Sequence, residues 1–185
     1  MPEDSRRVCP AEHTGWLVNP MRRWFQNPEK LLKRYVKEGM TDLDLGCGPG
    51  FFSVPMADMV GETGKVIAVD IQDEMLERLK NRVAGHEVER RIQLHRAEER
   101  RIGLSEAVDF ALAFYMVHEV PDQGAFFREV KSLLKPGASF LVIEPMFHVS
   151  KKALEETITR AKAAGFVADS GPGVFFSRSV VLRHQ

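Results

Sequence analysis

The chain has 185 residues, 44% hydrophobic and 28% charged, with Lys+Arg and Asp+Glu balanced at 26 each. That profile fits one globular domain and excludes a disordered chain, a collagen-like repeat and a small disulfide scaffold. Zero net charge argues against a dedicated nucleic-acid binder, no apolar run nears the ~18 residues of a membrane span, and a polar start with only Cys9 and Cys47 fits neither a signal peptide nor a secreted framework, so a cytoplasmic location is expected.

In chain order, residues 1–27 read as irregular, because Pro2, Pro10, Pro20 and Pro28 break any long helix. Trp16, Trp24 and Phe25 make this stretch a packed arm rather than a free tail. A first helix is predicted over 28–37. Asn27 caps it, Pro28 takes its first position and Glu29 meets the positive end of the dipole. Leu31, Leu32, Tyr35 and Val36 form its apolar face, and Gly39 ends it.

From residue 40 the pattern alternates. Strands are predicted over 41–45, 65–70, 92–95, 108–114 and 139–144, and helices over 51–60, 73–83, 123–134 and 150–163. Lys135-Pro136-Gly137 is a sharp stop after the third of these helices. Short apolar strands alternating with helices predict a parallel sheet covered on both faces. Two last strand-like runs, 165–168 and 174–182, have only Ser170-Gly171-Pro172-Gly173 between them, so they predict an antiparallel pair. The expected fold is therefore α/β: a doubly wound, seven-stranded sheet, mostly parallel, with an antiparallel final strand beside the fifth. One domain is expected, with residues 1–38 as arm and first helix, a lid candidate, and residues 39–185 as the ligand-binding remainder.

The sharpest motif is Asp42-Leu43-Asp44-Leu45-Gly46-Cys47-Gly48-Pro49-Gly50, running from the first strand into a helix. Glycines at every second position let a backbone turn tightly and let a ligand approach the main chain. The next strand ends in Asp70, 20 residues after Gly50, the spacing at which an acid reaches a ribose hydroxyl in a nucleotide-binding α/β unit. A dinucleotide site expects G-x-G-x-x-G. Here the run is G-x-G-x-G behind Asp44.

That motif resembles the first motif of the class I S-adenosylmethionine-dependent methyltransferases. Further segments match in order and spacing: Val66-Ile67-Ala68-Val69-Asp70-Ile71, Ala97-Glu98, the strand 109–114, and the run from Leu134 to Val142. The resemblance covers about residues 40–185 and points to the ubiquinone/menaquinone-methylase-like group with a Rossmann-like fold. It implies S-adenosylmethionine as cofactor and a small-molecule acceptor. It also implies roles: Asp44 near the methionine amino group, and Gly46, Cys47, Gly48 and Gly50 in the loop against methionine and ribose. Asp70 would sit on the ribose hydroxyls, Ile71 beside the adenine, Ala97 or Glu98 at the adenine edge, and Phe114 near the methyl donor. For Cys47 a small residue packed in the turn is expected rather than a reactive thiol.

Methyl transfer from a sulfonium needs a base only when the acceptor must lose a proton. His118 and Tyr115, after the fourth strand, are the candidates for base and pocket wall. The Asn/Asp-Pro-Pro-aromatic motif of nitrogen-methylating relatives is missing, since the matching place reads Ala113-Phe114-Tyr115-Met116. Cys9 and His13 alone make no zinc site, and no metal is expected. The competing readings are an NAD(P)-dependent oxidoreductase and a non-catalytic, cofactor-binding partner subunit. The acceptor and the oligomeric state are not encoded in any motif.

Overall fold

The computed structural model of the chain describes residues 26–185, so Trp16, Trp24, Phe25 and the body of the expected arm lie outside the described residues. The first helix, α1, is Pro28–Leu32. Asn27 caps it, its side-chain oxygen accepting from Lys30 N at 2.8 Å. The helix is shorter than the predicted 28–37. After Leu32 the chain tightens, with Tyr35 N and Val36 N both donating to Leu32 O. Tyr35 thereby stacks on Phe110, ring centroids 5.3 Å apart. Burying that aromatic pair outweighs continuing a helix of exposed basic residues.

Seven strands follow: β1 Thr41–Leu45, β2 Lys65–Asp70, β3 Ile92–Arg96, β4 Val108–Phe114, β5 Leu134–Pro145, β6 Val167–Ser170 and β7 Ser177–Arg183. The helices between them are α2 Ser53–Val60, α3 Asp73–Val83, α4 Gln123–Leu133 and α5 Lys151–Ala163. Among these residues no helix is long and apolar enough to cross a membrane. The sheet order is β3-β2-β1-β4-β5-β7-β6. β1 to β5 are parallel neighbours. β7 runs antiparallel between β5 and β6, as the helix-free pairing of the last two runs predicts.

The helix α4 stops before Lys135-Pro136-Gly137 as expected, at Leu133, but β5 begins at Leu134 instead of 139 and runs through those three residues. The pairing with β4 slips there, between Val108 and Phe110. Pro136, which has no N–H to donate, thus lies in an irregular stretch where the ladder does not require one.

Side chains alternate across the sheet and build two cores. Leu43, Leu45, Ile67, Val69, Phe140 and Val142 face α4 and α5. Val66, Ala68, Phe110, Leu112, Leu141 and Ile143 face α1, α2 and α3. The chain turns from one half of the sheet to the other between β1 and β4. In an open α/β sheet, ligands bind in the crevice at that switch, beyond the carboxyl ends of the strands.

Candidate functional site

The carboxyl ends of β1, β2, β3, β4 and β5 bring most of the sequence-derived candidates to one edge. The glycine loop leaves β1 with Gly46, Gly48 and Gly50 all at positive φ. Their neighbours differ. A Cβ on Gly50 would stand 2.3 Å from Leu79 Cδ1, so this glycine lets α3 pack against the loop. A Cβ on Gly46 would meet Met116 at 2.9 Å, so the segment after β4 lies directly against the loop. A Cβ on Gly48 would meet nothing within 4 Å. Gly48 therefore fronts open space.

Asp70 closes β2. Its Oδ2 accepts from Gly48 N and its Oδ1 from Gln72 N, each at 2.9 Å. Burial raises its pKa, and the backbone amides of Gln72, Gly48 and Ile71 act against that rise. Ala97 follows β3, buried, with its N–H donating to Asp70 O at 3.0 Å. Ile71 is half-buried at the same edge, packed on the sheet core. Glu98 is exposed in a tight bridge with Arg101.

Asp44 lies one level inside the sheet, 2% accessible, with Oδ2 accepting from Ser53 Oγ at 2.5 Å. Ser53 opens α2, and its part had no signal in the motif. Burial pushes Asp44 up to about 7; the Ser53 hydroxyl opposes the rise and the neighbouring Asp70 charge adds to it. Cys47 is buried, and burial together with the Asp44 and Asp70 charges raises its thiol well above the ordinary value. Such a thiol is protonated and unreactive at neutral pH.

Phe114 ends β4 in an aromatic row, 4.5 Å from Phe52 and 4.1 Å from Tyr115 between ring centroids. Tyr115 has φ 63, rare for a non-glycine residue and a local strain. Two contacts hold it: its hydroxyl lies 2.5 Å from Ser177 Oγ and accepts from Gln26 Nε2 at 2.8 Å. His118 sits in the 3-10 turn Val117–Glu119. Its Nδ1 is 2.5 Å from Glu144 Oε2, and its backbone N–H donates to Glu144 Oε1 at 3.2 Å. Glu144 is 2% accessible, near the end of β5. Sequence reasoning passed over Glu144, because a carboxylate 26 residues from its partner has no local spacing signal. An acid ending the strand beside the one that precedes His118 was the available clue.

A family model described as a methyltransferase domain matches residues 36–168. A demethylmenaquinone methyltransferase from Lactobacillus johnsonii is 29% identical over 122 residues, which is 65% of this chain and 49% of the relative. The chain thus spans about half the length of the curated relatives it matches. The crystal structure of a SAM-dependent methyltransferase from Aquifex aeolicus superposes with a TM-score of 0.84 at 30% identity, covering 95% of this chain and 98% of that one. The [4+2]-cyclase SpnF, at 18% identity, has a TM-score of 0.67, covering 78% of this chain and 58% of its own. That last likeness concerns the fold alone and shows how little chemistry the fold dictates.

Proposed function

The chain belongs to the methyltransferase domain family, and on that premise we propose that it is a cytoplasmic class I S-adenosylmethionine-dependent methyltransferase with a small-molecule acceptor. One observation carries the reading: a strand-end carboxylate, Asp70, tied by two backbone amides beside a glycine that fronts open space. A carboxylate offers about four lone-pair positions; the Gly48 and Gln72 amides take two and the Ile71 amide also leans on it, so acceptor capacity remains for a ribose hydroxyl. Asp44 supplies negative charge close to the loop for the cationic end of the ligand. Ile71, Ala97 and Glu98 face the adenine side, and Phe114 lies nearest the reacting end. These residues fit S-adenosylmethionine in charge and in polarity.

When bound, S-adenosylmethionine supplies a methyl group already activated by its sulfonium. The chain's own share is to hold both partners in line and to keep water out, which can supply much of the rate. Loop glycines with fixed positive φ and a buried Asp44–Ser53 pair are rigid supports for that alignment. Most of the lid candidate, residues 1–38, lies outside the described residues; within its described part, Gln26 Nε2 donates to the Tyr115 hydroxyl at the crevice edge.

Calorimetry tests the reading. The wild-type chain binds S-adenosylmethionine and not a nicotinamide dinucleotide, and Asp70→Ala weakens binding by about 1.5–3 kcal/mol, the worth of a hydrogen bond to a charged group. Unchanged affinity in the variant, or a preference for the dinucleotide, refutes it. Transfer of a labelled methyl group to a metabolite extract then separates an enzyme from a cofactor-holding partner subunit.

A further inference from the structure

Among the described residues, the large hydrophobic side chains left exposed are Met146, Phe147, Phe175 and Phe176, and they stand together. They come from two loops: Met146 and Phe147 follow β5, and Phe175 and Phe176 precede β7. Met146 N–H donates to Phe176 O at 3.0 Å, which ties the loops to each other. The Phe176 ring lies 5.3 Å from that of Phe147 and 4.0 Å from that of Phe175, between centroids. Ser177 anchors the second loop. Its Oγ donates to Phe175 O at 3.0 Å and lies 2.5 Å from the Tyr115 hydroxyl, so the patch adjoins the crevice edge. Phe176 has φ 50, a conformation that favours glycine. The chain thus tolerates backbone strain where it presents an aromatic ring to solvent, which folding alone does not require.

Lysines flank the rings. α5 opens with Lys151 and Lys152 directly after the first loop, both exposed, and its first turn holds no acidic residue. Two cations at the positive end of a helix dipole are opposed by it, and an anionic partner removes that conflict. Lys151 Nζ is 3.9 Å from Glu155 Oε1, in a pair with 82% and 62% of its side chains accessible, so this contact leaves the charge available.

We propose that this patch docks the protein on an anionic phospholipid bilayer, the rings entering the interfacial layer and the lysines meeting the headgroups. Its size selects a bilayer over a second protein. With exposures of 77, 50, 51 and 38% for Phe147, Phe175, Phe176 and Met146, and about 200 Å² per side chain, it offers roughly 400 Å². A stable protein interface takes about 800 Å² from each partner. Its shape agrees. A ring as exposed as Phe147 stands on a projecting tip, which enters another medium rather than receiving a partner's side chain. Aromatic tips beside lysines combine apolar burial with attraction to anionic headgroups, the two terms that hold a protein at a membrane surface. Docking of this kind is peripheral and independent of the reaction catalysed.

Flotation of the full chain with vesicles tests the proposal. The chain is expected to float with vesicles of equal parts phosphatidylcholine and phosphatidylglycerol, and to bind pure phosphatidylcholine vesicles much more weakly. Phe147→Ser and Phe175→Ser should each weaken binding to the mixed vesicles about tenfold. Lys151→Gln and Lys152→Gln should each weaken it about fivefold, a difference that high salt erases. All four variants should unfold at the wild-type temperature, because the side chains are exposed. Binding to neither vesicle, equal binding to both, or wild-type binding by both phenylalanine variants overturns the proposal. So does a wild-type dimer in sedimentation without lipid that Phe147→Ser converts to monomer, which assigns the patch to a second copy of the chain.

Discussion

Asp42→Asn should make the protein more stable, and by an amount that grows with pH. Asp42 lies in β1, fully buried, between its register partners Val66 and Phe110. Neither of its carboxylate oxygens has a hydrogen-bond partner among the described residues. The neighbouring cation, Lys135, is engaged by Asp109, with Nζ 2.7 and 2.8 Å from its two oxygens. Burial, reinforced by the Asp109 charge and only partly opposed by Lys135, pushes Asp42 up to about 8 from 3.8.

The folded state therefore keeps a proton that the unfolded chain releases, so folding loses free energy as pH rises above 3.8 and the full cost is reached above about 8. At about 1.4 kcal/mol per pH unit, the penalty is on the order of 4 kcal/mol at neutral pH and under half of that at pH 5. Asn keeps the shape and cannot ionise. Thermal unfolding of both proteins from pH 4 to pH 8 reads the difference. The two melting temperatures should nearly coincide at pH 4 and separate by roughly 8–16 °C at pH 7, at about 2–4 °C per kcal/mol. A gap that does not widen with pH would show that Asp42 finds a partner that neutralises its charge. The comparison cancels the other raised carboxyls, which are common to both proteins.

Three further outcomes follow from the site. Asp44, pushed up to about 7, must be ionised to hold a cation, so calorimetry should show S-adenosylmethionine affinity falling about tenfold per unit as pH drops below that value, and a flat profile would remove Asp44 from the site. Gly50→Ala combines φ 82 with a Cβ 2.3 Å from Leu79, so chemical denaturation should show a loss of about 1–3 kcal/mol, partly recovered in the double variant with Leu79→Ala, whereas wild-type stability would mean α3 is free to shift. Deleting residues 1–26 should leave S-adenosylmethionine affinity within a few-fold while turnover on the acceptor is lost; a truncated chain that turns over as fast as the full one removes this segment from the reaction.

Much of the fold was legible because it rests on patterns with a fixed period. Strands and helices alternate in the sequence as they do in space, and the missing helix before β7 announces its antiparallel direction. The strand-end acid and the glycine loop were legible together, since Asp70 reaches Gly48 through adjacent strands at a regular distance. What escaped depends on contacts with no local trace. The shortened α1 reflects the pull of Phe110 on Tyr35, 75 residues away, and the run of β5 through Pro136 reflects a slip in its pairing with β4. Glu144 escaped for the same reason: only the pairing of Ile143 with Phe114 tells that the next residue lies beneath His118.

The position of β7 has a consequence for assembly of the molecule. β6 joins the sheet only through β7, and β7 meets β5 along seven residue pairs. The open flank of β5 must wait for a strand that begins 32 residues after β5 ends. Until then, the β6–β7 hairpin and the β5 flank are complementary surfaces on a long tether, and nothing in their geometry distinguishes a hairpin of the same molecule from that of a neighbour. The end of this sheet is thus an exchangeable part: at high concentration during refolding, two chains can trade hairpins and form a dimer without any new interface.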